Sequence, residues 1–526
     1  MNGWVKEEIW NLLPDTFFGD PISSIQKMDG KVIGRSKFRF STIFVLPSGR
    51  KIFLKRDVTK GRLESFKYVF LPTKARKEWA VACQAIKKYI NIPQPLGWME
   101  RRHRGLVKES YYLSEAIGSG ISLIEDPVKL GDTFVLLEMA RTVKEIHHTG
   151  LFHKDLHAGN FLWDGQSLYL IDLHSAKIVK TLSLGQRLWN LALLFQSLRS
   201  VWGGKNQSLF MDAYFEGEPL HLQKKEELLQ KIYSWMDRLQ LRHWKSRTKR
   251  CLKESTEFSV EAEGGITYYH RRDFPLAVLK EMAEEHHRWI WKKPSHLSKF
   301  SPEVTVSILG GGEKKISVKN YHPPKVYDRF KEHFRRSKGM RAWISGNGLR
   351  ARGFPTLKPL GLAERRDWLG LKESLFFMEV LEGAQELDRY ISKGFEDFKK
   401  KRLFIKAFAQ WLYHFHEMGL YHKDMKTCNI LVSENDDSWN FCLLDLEDVV
   451  LDKRVTEKKF FRNLLQLNTS TPRVITRTDR MRFFKECHRL NPIVKNPKIL
   501  LRGLIEESRK RGLVYVSPQG VVIERM

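Results

Sequence analysis

Two aspartates and an asparagine form the first set of groups in this chain that could do chemistry together. Asp155 and Asn160 lie in His153-Lys154-Asp155-Leu156-His157-Ala158-Gly159-Asn160, and Asp172 ends the apolar run Leu170-Ile171-Asp172. Phosphoryl transfer from ATP needs such a set: one carboxylate takes the proton of the attacking hydroxyl, while an amide and a second carboxylate hold magnesium. The same order occurs again in His422-Lys423-Asp424-Met425-Lys426-Thr427-Cys428-Asn429 and Leu443-Leu444-Asp445. An aspartate in a turn is commonly a local cap, so the specificity lies in the ordered combination and in its occurring twice. Asp155 and Asp424 are the candidate bases, and Asn160, Asp172, Asn429 and Asp445 the candidate magnesium ligands. His153 reads as a packed residue that shapes the loop rather than as a proton shuttle.

Such a loop needs a nucleotide-holding sheet upstream. Thr42 to Leu46, the turn Pro47-Ser48-Gly49, and Ile52 to Lys55 read as a hairpin ending in a lysine. A lysine at the end of a strand is often a snorkelling edge residue. Here it precedes Glu78, on an apparent helix, and then the catalytic set, the order in which kinases place the lysine of the α- and β-phosphates and its glutamate. Shifted by 264 positions, Lys55 becomes Lys319, Trp79 becomes Trp343, Pro95-Leu96-Gly97 becomes Pro359-Leu360-Gly361, and Glu100-Arg101-Arg102 becomes Glu364-Arg365-Arg366. Lys108-Glu109-Ser110 likewise returns as Lys372-Glu373-Ser374, and Val304 to Leu309 with Ile316 to Lys319 repeats the hairpin. One offset held over dozens of residues marks an internal duplication. Glu115 and Glu379 follow Tyr111-Tyr112-Leu113 and Phe376-Phe377-Met378, where a chain of this kind crosses between lobes; their backbones are the candidate adenine contacts.

The halves differ in one important place. The position matching Glu78 is Ala342, preceded by Arg341. Either another acid such as Glu332 serves Lys319, or the second half binds nucleotide poorly. Two positions after the loop aspartate, the first half has His157 and the second Lys426; a lysine there can neutralise the transferring phosphoryl group. Neither half has a glycine-rich phosphate loop: Gly30 and Gly34 are sparse, and Gly310-Gly311-Gly312 reads as a turn. Arg35-Ser36-Lys37 and Ser298-Lys299-Phe300-Ser301 lie where that loop should be.

Helical spacing runs from Asp132 to His148 and from Phe404 to His416, and returns over Leu184 to Leu198 and Lys458 to Leu467. His221 to Arg250 reads as a solvated connecting helix, with the boundary near residue 240. Residues 250 to 300 exceed what the first half has before its hairpin and suit an extra hairpin and helix. The chain has 526 residues, 42% of them hydrophobic, and a formal net charge of +30. That charge points to a polyanionic partner, with a phosphorylated glycolipid or an anionic membrane face ranked above nucleic acid. Cys83, Cys251, Cys428, Cys442 and Cys487 show no CxxC spacing, which fits a reducing compartment and no zinc site. The first residues lack a signal-peptide pattern, so a cytoplasmic protein is expected.

These motifs resemble the lipopolysaccharide core kinase family, bacterial sugar kinases that phosphorylate heptose or Kdo on lipid A–core. Lys55, Lys77-Glu78-Trp79, His153 to Asn160 and Asp172 carry the resemblance in the first half. In the second it rests on Arg341-Ala342-Trp343, Pro355-Thr356, Pro359-Leu360, His422 to Asn429 and Asp445, with Met211 to Phe215 and Arg477 to Phe484 as further matching segments. The resemblance implies an α+β fold of two tandem protein-kinase-like domains, 1–240 and 241–526, each with a β-rich N-lobe and a helical C-lobe. It implies ATP and Mg2+ as cofactors, a sugar hydroxyl of an anionic glycolipid or lipopolysaccharide core as acceptor, and a peripheral place at the inner face of the cytoplasmic membrane. Two departures stand out: Asp172-Leu173-His174 and Asp445-Leu446-Glu447 lack the glycine of the protein-kinase magnesium motif, and no Ala-Pro-Glu follows. The competing readings are a protein or small-molecule kinase, one catalytic half regulated by a pseudokinase half, and a basic scaffold binding anionic lipid or RNA.

Overall fold

The computed structural model describes the whole chain except residues 29, 119–121, 293–296, 311–314, 323–334, 369, 436–437, 453, 492, 518 and 526. Glu332, Gly311 and Gly312 therefore lie outside the described residues. The chain divides into two compact units, Met1–Gln240 and Leu241–Met526. No helix among the described residues is long and apolar enough to cross a membrane.

The first unit opens with an antiparallel sheet of six strands. Their order across the sheet is Asn2–Val5, Pro95–His103, Leu106–Glu115, Lys51–Val58, Arg39–Val45 and Lys31–Arg35. Alternation sets its faces: Phe44, Ile52, Leu54, Met99, Tyr111 and Leu113 point into one cluster with Ile9, Phe17 and Ile25 from three short helices. Lys55 and Tyr112 stand opposite each other in adjacent strands, and the helix Lys74–Ile86 packs beside them. Helices Thr133–His148, Leu184–Ser197 and Gly204–Tyr214 build a second core around Met139, Val143, Leu191, Phe195 and Phe210. Asp132 caps the first of these helices through the Phe134 N–H at 2.8 Å.

The second unit has a seven-stranded sheet: Phe258–Glu263, Ile266–Arg271, Pro359–Asp367, Gly370–Glu379, Ile316–Tyr321, Val304–Leu309 and Lys299–Phe300. Its helical core gathers Phe404, Trp411, Phe415, Phe441, Leu464 and Phe484.

Register explains two of the repeated motifs. Gly97 lies opposite Val5, and Gly361 opposite His270. A Cβ on Gly97 would sit 2.6 Å from the Trp4 carbonyl oxygen, so this glycine lets the neighbouring strand close in. One on Gly361 would sit 2.1 Å from Leu279 Cδ1 and 3.3 Å from the Tyr269 carbonyl oxygen, so this glycine admits the helix Leu276–Lys292 as well as the neighbouring strand. The strand Ile266–Arg271 thus occupies the place of Asn2–Val5. Residues 250 to 300 do form a hairpin and a helix, Leu276–Lys292, but only the outer strand Phe258–Glu263 is additional to the first unit. Glu100 is the second case. It is buried and accepts from Thr73 Oγ1 at 2.9 Å, while Thr73 caps Lys74–Ile86. Ser337 and Glu364 repeat this at the start of Lys338–Ala351. Each unit so fastens its sheet to one helix N-terminus.

The solvated-connector reading of 221–250 needs correction. The helix Pro219–Thr248 buries Leu228, Leu229, Ile232 and Met236 in the first unit's core, at the i, i+4, i+8 spacing of one helix face. The charges that dominate its composition occupy the other faces.

Candidate active site

In the first unit Lys55 Nζ lies 2.9 Å from Glu78 Oε2 and also bonds Asp172 Oδ1. Glu78 is fully enclosed on its helix. Burial works against the Lys55 ammonium, but Glu78 and Asp172 outweigh it and raise its pKa. Burial likewise opposes ionisation of Asp172; the His174 hydrogen bond at 2.7 Å and Lys55 hold its pKa well below the usual carboxylate range. Burial raises the pKa of Glu78 despite the lysine. The result is a fixed cation between two acids. Asp172 has φ 63°, a left-handed conformation that an aspartate tolerates better than most residues, and Asp445 has φ 47°.

A network of neutral groups holds the catalytic loop. Asn160 Nδ2 donates to the Asp155 carbonyl at 2.7 Å. The Asp155 N–H donates to His153 Nδ1 at 3.2 Å, so His153 Nε2 carries the proton and donates to the Asp172 carbonyl at 3.2 Å. Asn190 Nδ2 donates to the His153 carbonyl at 2.6 Å, and His147 Nε2 contacts Asn190 Oδ1 at 3.2 Å. Tyr214 closes the chain on His147 Nδ1 at 2.6 Å. The Asp155 carboxylate itself stays 71% exposed, with His157 Nε2 at 4.0 Å; it can meet an incoming hydroxyl. The second unit repeats the frame: Asp424 N–H to His422 Nδ1 at 3.2 Å, Asn429 Nδ2 to the Asp424 carbonyl at 2.9 Å, Asn463 Nδ2 to the His422 carbonyl at 2.7 Å, and His416 to Asn463 at 3.1 Å. Lys426 Nζ is 3.0 Å from Asp424 Oδ2.

Burial pushes His147 down to about 3 and His153 down to about 4. Both remain neutral in the fold where the unfolded chain would protonate them, so they contribute stability above about pH 6.5 that is lost as pH falls toward their folded values. The thermal midpoint should therefore fall steadily between about pH 6.5 and pH 4. His147→Gln, measured by calorimetry across that range, should flatten the slope; an unchanged slope would remove His147 as a cause.

The second unit replaces the helix acid. Ala342 is buried where Glu78 stands in the first unit, and no glutamate approaches from that helix. Lys319 Nζ instead meets Asp445 Oδ1 at 2.7 Å and Glu447 Oε1 at 2.9 Å. Tyr321 donates to the other Glu447 oxygen at 2.9 Å. Burial opposes the Lys319 charge, and Glu447 and Asp445 overcome it and raise its pKa. Another acid than a helix glutamate therefore meets Lys319, and it comes from the turn after Asp445; Glu332 lies outside the described residues. Glu447→Gln should weaken nucleotide binding to the second unit by about tenfold, since it removes one of two charges on a buried ammonium. Ala342→Glu should not restore it: a Cβ on Gly346 of the same helix would already lie 2.6 Å from Pro359 Cγ and 3.0 Å from Leu446 Cδ1. Calorimetric titration with a nonhydrolysable ATP analogue, in an Asp172→Ala background, checks both.

A cavity of about 400 Å3 in the first unit is lined by Ile43, Phe53, Tyr112, Leu162, Lys55, Asn160 and Asp172. That size suits a nucleotide. Glu115 lines it as well, but its N–H donates to the Gln94 carbonyl at 2.9 Å and its carboxylate accepts from Arg50. Its carbonyl accepts from Ser114 Oγ at 3.2 Å and has a second lone pair that can meet a base. Glu379 has the same arrangement, its N–H bonding the Lys358 carbonyl at 3.0 Å. Arg39 was not singled out in the sequence. It follows the turn between the first two hairpin strands, pairs with Asp57 at 3.3 Å and lines the cavity; Asp57 and Asp172 raise its pKa against burial. In the second unit Lys319 and, after it, Lys299 lower the pKa of Asp445 against burial. Of the expected phosphate-loop segments, Lys299 faces the site, while Arg35, Ser36 and Lys37 line a separate cavity that Arg39 shares.

Asn190, Asn463, His147, His416 and Glu447 were also missed. The repeat held the signal: both asparagines lie 18 positions after the magnesium-motif aspartate, and both histidines eight before the loop aspartate. The half without a helix glutamate is the half with Glu447 two positions after Asp445.

The family model described as lipopolysaccharide kinase (Kdo/WaaP) matches residues 23–214 and 322–486. The chain belongs to that family. Members of the family are kinases, and this chain is one. A 3-deoxy-D-manno-octulosonic acid kinase of Photobacterium profundum is 32% identical over 180 residues, covering 32% of this chain and 75% of that protein. One of Pasteurella multocida is 27% identical over 125 residues, 24% of this chain and 50% of its own length. A probable bifunctional tRNA threonylcarbamoyladenosine biosynthesis protein of Methanosarcina mazei is 25% identical over 235 residues, 44% of this chain and 38% of that protein. A solved structure of WaaP in complex with acyl carrier protein aligns with 45% of this chain and 98% of its own, at 20% identity and a TM-score of 0.33.

Proposed function

We propose that the chain transfers phosphate from ATP to a sugar hydroxyl of the lipopolysaccharide core or a related anionic glycolipid, through two tandem protein-kinase-like domains, 1–240 and 241–526. The observation that carries this reading is the pairing of Lys55 with Glu78 and Asp172 beside a loop whose Asp155 carboxylate is free to take a proton. The adenine would lie against the Glu115 carbonyl and Ile117, which lines the same cavity. Lys55 holds the α- and β-phosphates and Arg39 the outer phosphates, with a side-chain cation doing what glycine-loop N–H groups do elsewhere. Asp155 orients the acceptor hydroxyl and takes its proton as that oxygen bonds to the γ-phosphorus, while the γ-phosphorus bond to the β-phosphate oxygen breaks and ADP leaves.

Asp172 and Asn160 would hold Mg2+. Oxygen donors suit that ion, and Asn160 Nδ2 bonds the Asp155 carbonyl, which leaves its Oδ1 for the metal. Bound there, magnesium neutralises the phosphates' charge. Glu78 and His174, though close to Asp172, serve Lys55 and Asp172 rather than the metal. In the second domain Lys319, Asp424, Asn429, Asp445 and Glu447 take the corresponding roles, with Glu379 at the base.

The acceptor reading draws on the family and on charge. Beside the cleft a cavity of about 330 Å3 is lined by Arg35, Lys37, Arg39 and Arg56, which suits an acceptor bearing phosphate or carboxylate. The membrane contact and the inner-face location belong to this same proposal. Labelled ATP offered with purified core glycolipid, a soluble core oligosaccharide and a generic protein acceptor tests it. Transfer to the glycolipid that needs magnesium supports the reading; transfer to protein alone would replace it with the protein-kinase alternative.

A further inference from the structure

The segment between the lysine strand and the Glu78 helix is built inside out. In the helix Arg62–Phe70, the side turned to the protein carries Ser65 and Tyr68. Ser65 Oγ lies 3.0 Å from Thr59 Oγ1, which reaches the Val107 and Lys108 carbonyls. The apolar side faces away: Leu63 is 90% exposed, Phe66 58%, Phe70 77%, and Leu71 just beyond 51%. Leu63, Phe66 and Phe70 fall at i, i+3 and i+7, one stripe of a helix. A soluble monomer seldom leaves such a contiguous patch in water.

Its border is cationic. Lys60, Arg62 and Lys67 are exposed around it. The helix's one acid, Glu64, is engaged inward, accepting from the Lys60 N–H at 2.6 Å and from Tyr68 at 3.3 Å. Phe and Leu on one face with Lys and Arg at the flanks is the pattern of a helix lying in the headgroup layer of an anionic bilayer.

The helix also has a position. The Val58 N–H donates to the Phe38 carbonyl at 2.8 Å, and Lys60 Nζ sits 5.7 Å from the Phe38 ring. Phe38 belongs to the hairpin turn that precedes Arg39. The apolar face therefore begins next to the end of the cleft where the outer phosphates are placed.

We propose that the helix Arg62–Phe70 with Leu71 is the membrane-docking element of the first unit, inserting Leu63, Phe66, Phe70 and Leu71 among the acyl chains of an anionic bilayer while Lys60, Arg62 and Lys67 meet lipid phosphates. Docked this way, the helix sets the phosphate end of the cleft at the depth of a glycolipid's sugars. This last consequence rests on the glycolipid-kinase reading; the docking itself does not.

The test uses the full-length chain and its Leu63→Ser/Phe66→Ser/Phe70→Ser variant. Both are sedimented with vesicles of phosphatidylethanolamine and phosphatidylglycerol, and with phosphatidylcholine vesicles. Their thermal midpoints and MgATP affinities should match, because these side chains are exposed. The wild type should bind the anionic vesicles, more weakly as salt rises, and each Phe→Ser change should weaken binding about tenfold. The triple variant should phosphorylate glycolipid in vesicles poorly and a soluble core oligosaccharide as well as the wild type. Equal vesicle binding by variant and wild type would overturn the proposal. So would a wild type that ignores vesicles but forms dimers that the variant does not, since the face would then be covered by a second copy. If neither acceptor is phosphorylated while vesicle binding still depends on the three residues, the docking surface stands and the acceptor assignment falls.

Discussion

Asp155→Asn should slow phosphate transfer to the acceptor by about 10²–10⁴-fold, the usual contribution of a positioned general base. Its affinity for MgATP should hardly change. The carboxylate is 71% exposed, with His157 Nε2 4.0 Å away. The Asp155 backbone groups that tie the loop together, the N–H to His153 and the carbonyl to Asn160, are untouched by the substitution. Loss of rate without loss of fold or nucleotide binding is therefore the expected signature, read by single-turnover kinetics beside a nucleotide titration. Asp424→Asn provides the comparison. Its carboxylate is paired with Lys426 at 3.0 Å and touched by Asn429 at 3.4 Å, so it starts from a more restrained state. If Asp155→Asn kept full activity while Asp424→Asn abolished it, transfer would belong to the second unit alone. Full activity in both variants would sink the catalytic role of the loops.

Lys55→Met should cost the first unit about 3–5 kcal/mol, because removing one partner of a buried ion pair leaves a charge without compensation. Glu78 is enclosed on all sides, and its remaining charged neighbours are Asp172, which repels it, and His174. Without the lysine, Glu78 must take up a proton to stay in the fold. Its folded pKa would then rise further above the ordinary value of 4.5. A raised carboxyl stabilises the fold below the unfolded pKa and loses that contribution as pH rises. The deficit of Lys55→Met relative to wild type should accordingly be smallest near pH 4.5 and largest at neutral pH and above, the opposite of the trend that the buried histidines impose. Glu78→Gln is a milder change: it keeps the shape and leaves Lys55 with Asp172. Denaturant melts of the three proteins at several pH values check this. A deficit in Lys55→Met that does not vary with pH would mean that Glu78 stays ionised and finds another partner.

The frame of the two Asp–Asn loops could be read from the sequence because it is local. Asp155 and Asn160 are five positions apart on one turn, as are Asp424 and Asn429, and local spacing survives in a linear reading. The hairpins were equally plain, since alternation with a turn between is a local pattern; Lys51–Val58 and Ile316–Tyr321 extend the expected strands by only a few residues. What stayed hidden depends on residues that meet across the fold. Glu447 and Lys319 are separated by 128 positions, and nothing near Lys319 in the sequence points to an acid two residues past Asp445. Arg39 looked like one basic residue among many in a chain of net charge +30. The helix Pro219–Thr248 was misread for the same reason, because its many charges masked the apolar stripe of Leu228, Leu229, Ile232 and Met236. The motif Glu100-Arg101-Arg102 was seen to repeat, but its reason, a buried carboxylate holding the Thr73 cap, needed the distance of 2.9 Å between them.

The position of Glu447 has a consequence for inhibitors. In the first unit the acid that serves Lys55 rides on a helix, so a compound wedged behind Lys74–Ile86 that tilts it outward would draw Glu78 away and leave the lysine to Asp172 alone. In the second unit the acid and the aspartate share one short turn, Asp445 to Glu447, so the acid is not carried on Lys338–Ala351 and does not leave Lys319 with that helix. Ligands that select a helix-out shape should silence the first unit and pass over the second, whereas compounds that compete directly for the adenine position should meet both.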